Sequence, residues 1–93
     1  MDTAGDAYHF GRDIAGHAIA EIKATALKLD TVEAKEARLA RIVTRAHRAI
    51  SAAAMGRMAA GMSREEAAAW RRDAETSYHE AMRAEVASYE PAG

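Results

Sequence analysis

The sequence predicts an all-α protein of three helices, at about residues 13–29, 31–60 and 64–88. Alanine, the residue with the highest helix propensity, occupies 25 of the 93 positions. Apolar residues also recur at three- and four-residue spacing through each segment, which places them on one face of a helix. We therefore expect residues 1–93 to form a single helical domain.

Large apolar side chains are scarce in this chain. Leu, Ile, Val and Phe together number only twelve, which is below about a fifth of the residues. Alanine buries little apolar area, so a monomer of this size gains little from its core. Disorder is the other interpretation of such a composition, but a net charge of −1 argues against it. We therefore expect the core to be completed by a second copy or by a helical protein partner.

Residues 1–11 contain two glycines and little periodicity, which predicts a flexible or strapping N-terminal arm. Tyr8 and Phe10 are expected to hold this arm against its own bundle or against a neighbouring subunit. The N-terminus has neither a basic region nor an apolar run, which argues against a signal peptide. No apolar run reaches the ~20 residues of a membrane span. We therefore expect a soluble, cytoplasmic protein with no membrane partner.

The first predicted helix ends near a change of apolar phase. Asp30-Thr31-Val32-Glu33 has the form of a capping box, which predicts a helix start. The apolar face of helix 2 also lies about 100° away from that of helix 1 when both are projected at helical spacing. These observations favour a turn near Asp30. The apolar residues of helix 1 are Ile14, Ala18, Ile22, Thr25, Ala26 and Leu29, and those of helix 2 are Val32, Leu39, Ile42, Val43, Ala46 and Ile50.

A second boundary lies at Gly61-Met62-Ser63. Glycine suits the position after a helix end, and Ser63-x-x-Glu66 is another capping box. So short a connection predicts that helices 2 and 3 form an antiparallel hairpin, with helix 1 packed across it. Residues 89–93 are expected to be a short tail. The predicted apolar side of helix 3 contains Ala67, Trp70, Ala74, Tyr78, Ala81, Met82, Val86 and Tyr89.

The C-terminal half of helix 2 is the predicted protein interface. Residues 49–62 carry one charge in fourteen positions and are otherwise small or apolar. Small side chains let helix backbones approach closely, and methionine packs adaptably against partners. Packing within the hairpin accounts for part of this surface, but helix 3 alone cannot cover a helix that is apolar on all sides. The predicted interface residues are Ala49, Ala52, Met55, Gly56, Met58, Ala59, Ala60 and Met62.

The N-terminal half of helix 2 carries a stripe of arginines, which are Arg38, Arg41, Arg45 and Arg48. Their spacing of 3, 4 and 3 residues places them on one helix face. Guanidinium groups arranged in this way suit phosphate or nucleic acid. They equally suit solvation or an acidic protein surface, because residues 1–36 carry a net charge of −3 and residues 65–93 a net charge of −4. The sequence favours the second interpretation, since no aromatic residue lies among the arginines.

No catalytic pattern is recognisable. There is no cysteine, the serines lack a glycine-rich elbow, and no phosphate-binding loop is present. Asp13, His17 and Glu21 lie at four-residue spacing, as do Glu75 and His79, but such pairs are common on helix surfaces. We expect no enzymatic activity, no cofactor, no metal site and no small-molecule substrate.

Three functions are compatible with these observations. The first is a small helical adaptor or assembly protein that associates with itself or with a protein partner through the small-residue half of helix 2. The second is an oligomer that handles nucleic acid, such as a DNA-packaging or mobile-element accessory subunit, through its arginine stripe. The third is a regulatory or inhibitory subunit of a larger enzyme. The shortage of large core residues favours the first.

Overall fold

The computed structural model describes residues 3–26 and 31–88, and the regular structure within them is helical. Helix α1 spans Thr3–Ala26, α2 spans Val32–Ala59 and α3 spans Arg64–Ser88. Helix α1 packs most extensively against α3, and α2 contacts both of the others. The predicted all-α fold of three helices is confirmed. The antiparallel pairing of α2 with α3 stays a prediction.

The N-terminal segment corrects the sequence-based expectation. Helix α1 begins at Thr3, so most of the predicted arm forms its first turns. Ala7 and Gly11 within this segment are buried. The two glycines lower the helix propensity of this segment, so its sequence predicts an arm. In the structure, contact with α3 stabilises the helix. Residues 1–2, the predicted helix end at 27–29 and the predicted tail at 89–93 lie outside the described residues.

A seam of small residues joins α1 to α3. Ala7, Gly11 and Ala15 follow one another at four-residue spacing on α1, and all three are buried. A Cβ at Gly11 would overlap the backbone carbonyl oxygen of Ala74 and come within 2.9 Å of Ser77 Cβ. The Ser77 hydroxyl donates a hydrogen bond of 2.6 Å to the backbone carbonyl of Tyr8. The two backbones can therefore approach this closely only because residue 11 has no side chain.

Capping side chains and one glycine set the helix ends. Thr31 has an extended backbone, and its hydroxyl accepts a hydrogen bond from the Ala34 amide at 3.1 Å, so Thr31 caps α2. At the other end Gly61 has a φ of 117°, and the amides of Gly61 and Met62 donate to carbonyls in the last turn of α2. This is a Schellman ending. The Ser63 hydroxyl accepts from the Glu66 amide, as predicted.

The core contains few large side chains. The buried hydrophobic residues are Ala7, Ala15, Ala18, Ile42, Ala46, Ile50, Ala54, Ala67, Trp70, Ala74 and Tyr78, seven of which are alanine. The predicted apolar faces of α2 and α3 therefore supply most of the large core residues. Val32 and Leu39 depart from the prediction, because they are 66% and 43% exposed. Val86 is also exposed, and Tyr89 lies outside the described residues.

Substitution of Gly11 by alanine tests the α1–α3 seam. The added Cβ overlaps the α3 backbone, which cannot move without parting the two helices, so we expect a loss of about 1–3 kcal/mol in the free energy of unfolding. Gly16→Ala is the matched control, because nothing lies within 4 Å of a Cβ at that helical position. We expect the control to gain about 0.5–1 kcal/mol from helix propensity. Urea unfolding measures both changes, and a gain in Gly11→Ala would contradict the seam.

Candidate interaction surface

The predicted interface residues lie mainly on the solvent side of α2. Ala49 and Met62 are half-buried, and Met62 packs against the core. Met55 and Met58 are 70% and 39% exposed. The exposed members of the predicted set are Ala52, Met55, Gly56, Met58, Ala59 and Ala60. Most of the predicted surface is therefore free of intrachain packing in the described part of the chain.

The periodicity of α2 explains this exposure. Ile42, Ala46, Ile50 and Ala54 form its buried face and follow one another at four-residue spacing. Residues on the opposite side of the helix face solvent, and an ordinary amphipathic helix places charges there. Here the solvent side is basic in its first half and small or apolar in its second. A Cβ at Gly56 would have nothing within 4 Å, so this glycine is not required by packing within the described chain.

The arginine stripe divides into two pairs. Arg45 donates to both carboxylate oxygens of Glu21 on α1, at 2.8 and 3.1 Å, and Arg38 reaches the same carboxylate at 3.4 Å. Arg41 and Arg48 are exposed, and no ion pair involves either within residues 3–26 and 31–88. The alternative of pairing with an acidic helix is therefore realised for two of the four arginines.

Two shallow grooves run along the solvent side of α2. One, of about 460 Å³, is lined by Ala40, Arg41, Thr44, Arg45 and Arg48. The other, of about 410 Å³, is lined by Thr44, His47, Arg48, Ser51, Ala52 and Met55. Because both grooves include Thr44 and Arg48, they form one continuous surface. The outer face of α2 is defined here as Arg41, Thr44, Arg48, Ala52, Met55 and Ala59, all of which are exposed.

Arg57 is the one charge within the small-residue half of α2, and it turns away from the outer face. Its Nε and Nη2 donate to Asp6 Oδ2 on α1 at 3.1 and 2.8 Å. The same oxygen accepts from Trp70 Nε1 on α3 at 2.8 Å. The Arg57 guanidinium lies 3.9 Å from the Trp70 ring centroid, and Phe10 packs on that ring at 5.2 Å. These contacts tie all three helices together.

The hydrogen bond from Arg57 holds the pKa of Asp6 below its ordinary value of 3.8, and the bond from Trp70 acts in the same direction. The sequence pattern did not predict the contact among Arg57, Asp6 and Trp70. The available signal is that Arg57 is the lone charge between residues 49 and 62. An isolated charge in an otherwise apolar segment generally needs a partner, and Asp6 supplies one.

A second polar cluster joins α2 to α3. The rings of His47, Tyr78 and His79 lie 5.2–5.6 Å apart in edge-to-face arrangements. His47 Nε2 and the Tyr78 hydroxyl are buried and have no hydrogen-bond partner in the described chain. Burial raises the pKa of Tyr78. An unpartnered buried hydroxyl costs free energy, so this cluster contributes packing more than polar stabilisation.

The candidate metal ligands of the sequence are dispersed. Asp13 and His17 are exposed on α1, while Glu21 accepts hydrogen bonds from Arg38 and Arg45. Within the two described ranges, no group of three histidine, aspartate or glutamate side chains is arranged to hold a metal ion. The described helices also include none with the length and apolarity needed to cross a bilayer.

Comparison of the chain with protein-family models, with curated proteins and with solved structures gives no match.

Asp6→Asn tests the link between the helices through its pH dependence. Because the pKa of Asp6 is lowered on folding, its carboxylate stabilises the fold above about pH 4 and that contribution disappears as the pH falls through the folded-state pKa. The carboxylate is half-exposed, so we expect the variant to lose about 1 kcal/mol at pH 7 and much less at pH 2.5. Urea unfolding at both pH values measures this.

Asp13→Asn is the matched control, because Asp13 is an exposed aspartate on the same helix. We expect its effect to be small and similar at the two pH values. An equal effect of Asp6→Asn at pH 7 and pH 2.5 would show that the ionised form of Asp6 does not stabilise the fold.

Proposed function

We propose that this protein is a non-catalytic helical assembly protein that associates with itself or with a protein partner through the outer face of α2. The observation that carries the proposal is the exposure of Met55, at 70%, beside the exposed small residues Ala52 and Ala59. Apolar and small residues that form a contiguous exposed patch, as these three do with Gly56, are typical of interaction sites. The small core supports the same proposal, since association adds buried area that the monomer lacks.

The composition of this face suits a helix as its partner. The small side chains of Ala52 and Ala59, with Gly56 beside them, permit close approach of another backbone. The thioether of Met55 can adapt to several contact shapes. Such a surface would bind a partner through van der Waals packing. The arginines would contribute charge at its N-terminal end.

Met55→Ser tests this function. Removing the thioether from the proposed contact is expected to weaken association by about tenfold to a hundredfold, since a buried methionine contributes on the order of 1.5–3 kcal/mol. The measurement is solution mass by light scattering across a concentration series. Folding should be unaffected, because Met55 makes little contact within its own chain.

Val86→Ser is the matched control, because Val86 is an exposed large apolar residue on α3, at 59%. We expect its mass profile to follow that of the unmodified protein. Equal weakening by both substitutions would point to general apolar adhesion. A well-folded monomer at every concentration, with no protein partner, would contradict the proposed function.

Two arginines of the stripe, Arg41 and Arg48, form no ion pair with the described residues, and they favour nucleic-acid binding as a second candidate function. Arg41 and Arg48 lie about 10 Å apart along the helix axis and line the same groove. Contact with several phosphates predicts that affinity for duplex DNA falls steeply as salt rises. If Arg41→Glu combined with Arg48→Glu left DNA affinity unchanged, the arginines would have no part in it.

A further inference from the structure

The arginine stripe of α2 consists of two pairs with the same internal spacing. Arg38 and Arg45 are seven residues apart in the chain, and so are Arg41 and Arg48. Seven residues make nearly two helical turns, so the members of each pair lie about 10 Å apart along the axis on almost the same side of the helix. The Arg41–Arg48 pair lies about 60° further around the helix, where it is exposed. The second pair therefore repeats the first on the solvent side.

The Arg38–Arg45 pair already binds an anion. Both guanidinium groups donate to Oε1 of Glu21 on α1, at 3.4 and 2.8 Å, and Arg45 also donates to Oε2 at 3.1 Å. Two arginines at this spacing can therefore converge on one oxyanion while both stay on the same helix. The Arg41–Arg48 pair has the same reach, and it forms no ion pair with the described residues.

A groove of about 460 Å³ lies between Arg41 and Arg48, and none of the described residues that line it is acidic. Thr44 lies midway between the two arginines along the axis and lines the same groove. Its exposed hydroxyl can donate to an anion held there. Arginine and threonine are among the residues that contact phosphate oxygens in protein–DNA complexes. The groove therefore has the donors that a phosphate group accepts.

We propose that the Arg41–Arg48 pair and Thr44 bind a phosphate of a duplex nucleic-acid backbone. The Glu21 carboxylate occupies the Arg38–Arg45 pair in the same way, and it thereby withholds an equivalent second phosphate site. This proposal rests on the second candidate function. It names the groups that contact the phosphate and the residue that limits their number.

A duplex suits the groove better than a single strand or an acidic protein does. No Phe, Tyr or Trp is among the described residues that line it, so unpaired bases would have no ring to stack on. Protein interfaces have an apolar core, whereas Ala40 is the only apolar residue among those described in this lining. Interfaces with DNA are more polar and more basic. Phosphates also recur along each strand, so each arginine pair can engage a separate one.

Glu21→Gln tests the proposal through the salt dependence of DNA binding. The substitution removes the charge that holds Arg38 and Arg45, so we expect one additional phosphate contact. The plot of log K against log salt concentration should then be steeper by about 0.9, and affinity should rise about tenfold at about 50 mM salt. The measurement is fluorescence anisotropy of a labelled duplex DNA from about 50 to about 200 mM salt.

Arg45→Gln shows whether the gain depends on the released pair. In the Glu21→Gln background, it should return the slope toward the wild-type value, because the pair loses one member. In the wild-type background it should leave the slope unchanged, because Arg45 there holds Glu21.

Glu75→Gln is the matched control, because it removes the same charge and releases Arg71 on α3, outside the stripe. We expect its slope to equal that of the wild type, and circular dichroism should show every variant folded. Equal steepening by Glu21→Gln and Glu75→Gln would overturn the withheld second site, since net charge alone would explain it. A slope left unchanged by Arg41→Glu combined with Arg48→Glu would overturn the site between those arginines.

The absence of duplex binding by both the wild type and Glu21→Gln at about 50 mM salt would overturn nucleic acid as the occupant, together with the second candidate function. Loss of protein association in the paired arginine variant, with DNA binding intact, would assign the groove to an acidic protein instead. Assembly through the outer face is decided separately by the solution mass of Met55→Ser. The failure of each proposal is therefore distinguishable from that of the others.

Discussion

The close approach of α1 and α3 at Gly11 is the constraint on which the rest of the fold depends. No side chain can stand between Gly11 and the Ala74 carbonyl, so the two helices pack backbone against backbone. Small residues on both sides of Gly11 extend this contact, and Ser77 adds a hydrogen bond across it. Close packing gains dispersion contacts from many atoms, which partly replaces the missing area of large side chains. A core rich in alanine is stable only when the helix backbones pack this closely.

Helix α2 is placed by different contacts. Its large residues, Ile42 and Ile50, bury one side, and Arg57 reaches Asp6 and the Trp70 ring near its C-terminus. These contacts leave the opposite side of α2 exposed within the part of the chain that the structure describes. The exposed surface of α2 therefore follows from the fold. A three-helix chain with so few large side chains can cover only one side of its middle helix, and the other side is available to a partner.

The sequence was sufficient to predict the three helices, the turn at Gly61 and most of the buried residues of α2 and α3, because all of these depend on spacing along a single helix. Val32, Leu39 and Val86 are the exceptions, since they are exposed. It misassigned the first turns of α1, where propensity disfavours a helix but contact with Ala74 stabilises one. It also missed the link from Arg57 to Asp6, which joins residues 51 positions apart. Local patterns cannot identify a partner at that distance. For the same reason, spacing alone does not distinguish the four arginines of the stripe. In the structure, Arg38 and Arg45 form hydrogen bonds with the Glu21 carboxylate, whereas Arg41 and Arg48 face solvent.

The central claim is that the outer face of α2 becomes buried when the protein associates. Methionine oxidation by dilute peroxide, followed residue by residue with mass spectrometry across protein concentrations, tests this most directly. Met55 is 70% exposed in the single chain, and Met82, which packs against the core, is the internal reference. We expect oxidation of Met55 to slow as the protein concentration rises, while Met82 is unchanged. Oxidation of Met55 at one rate throughout, in a protein whose mass increases with concentration, would contradict the claim.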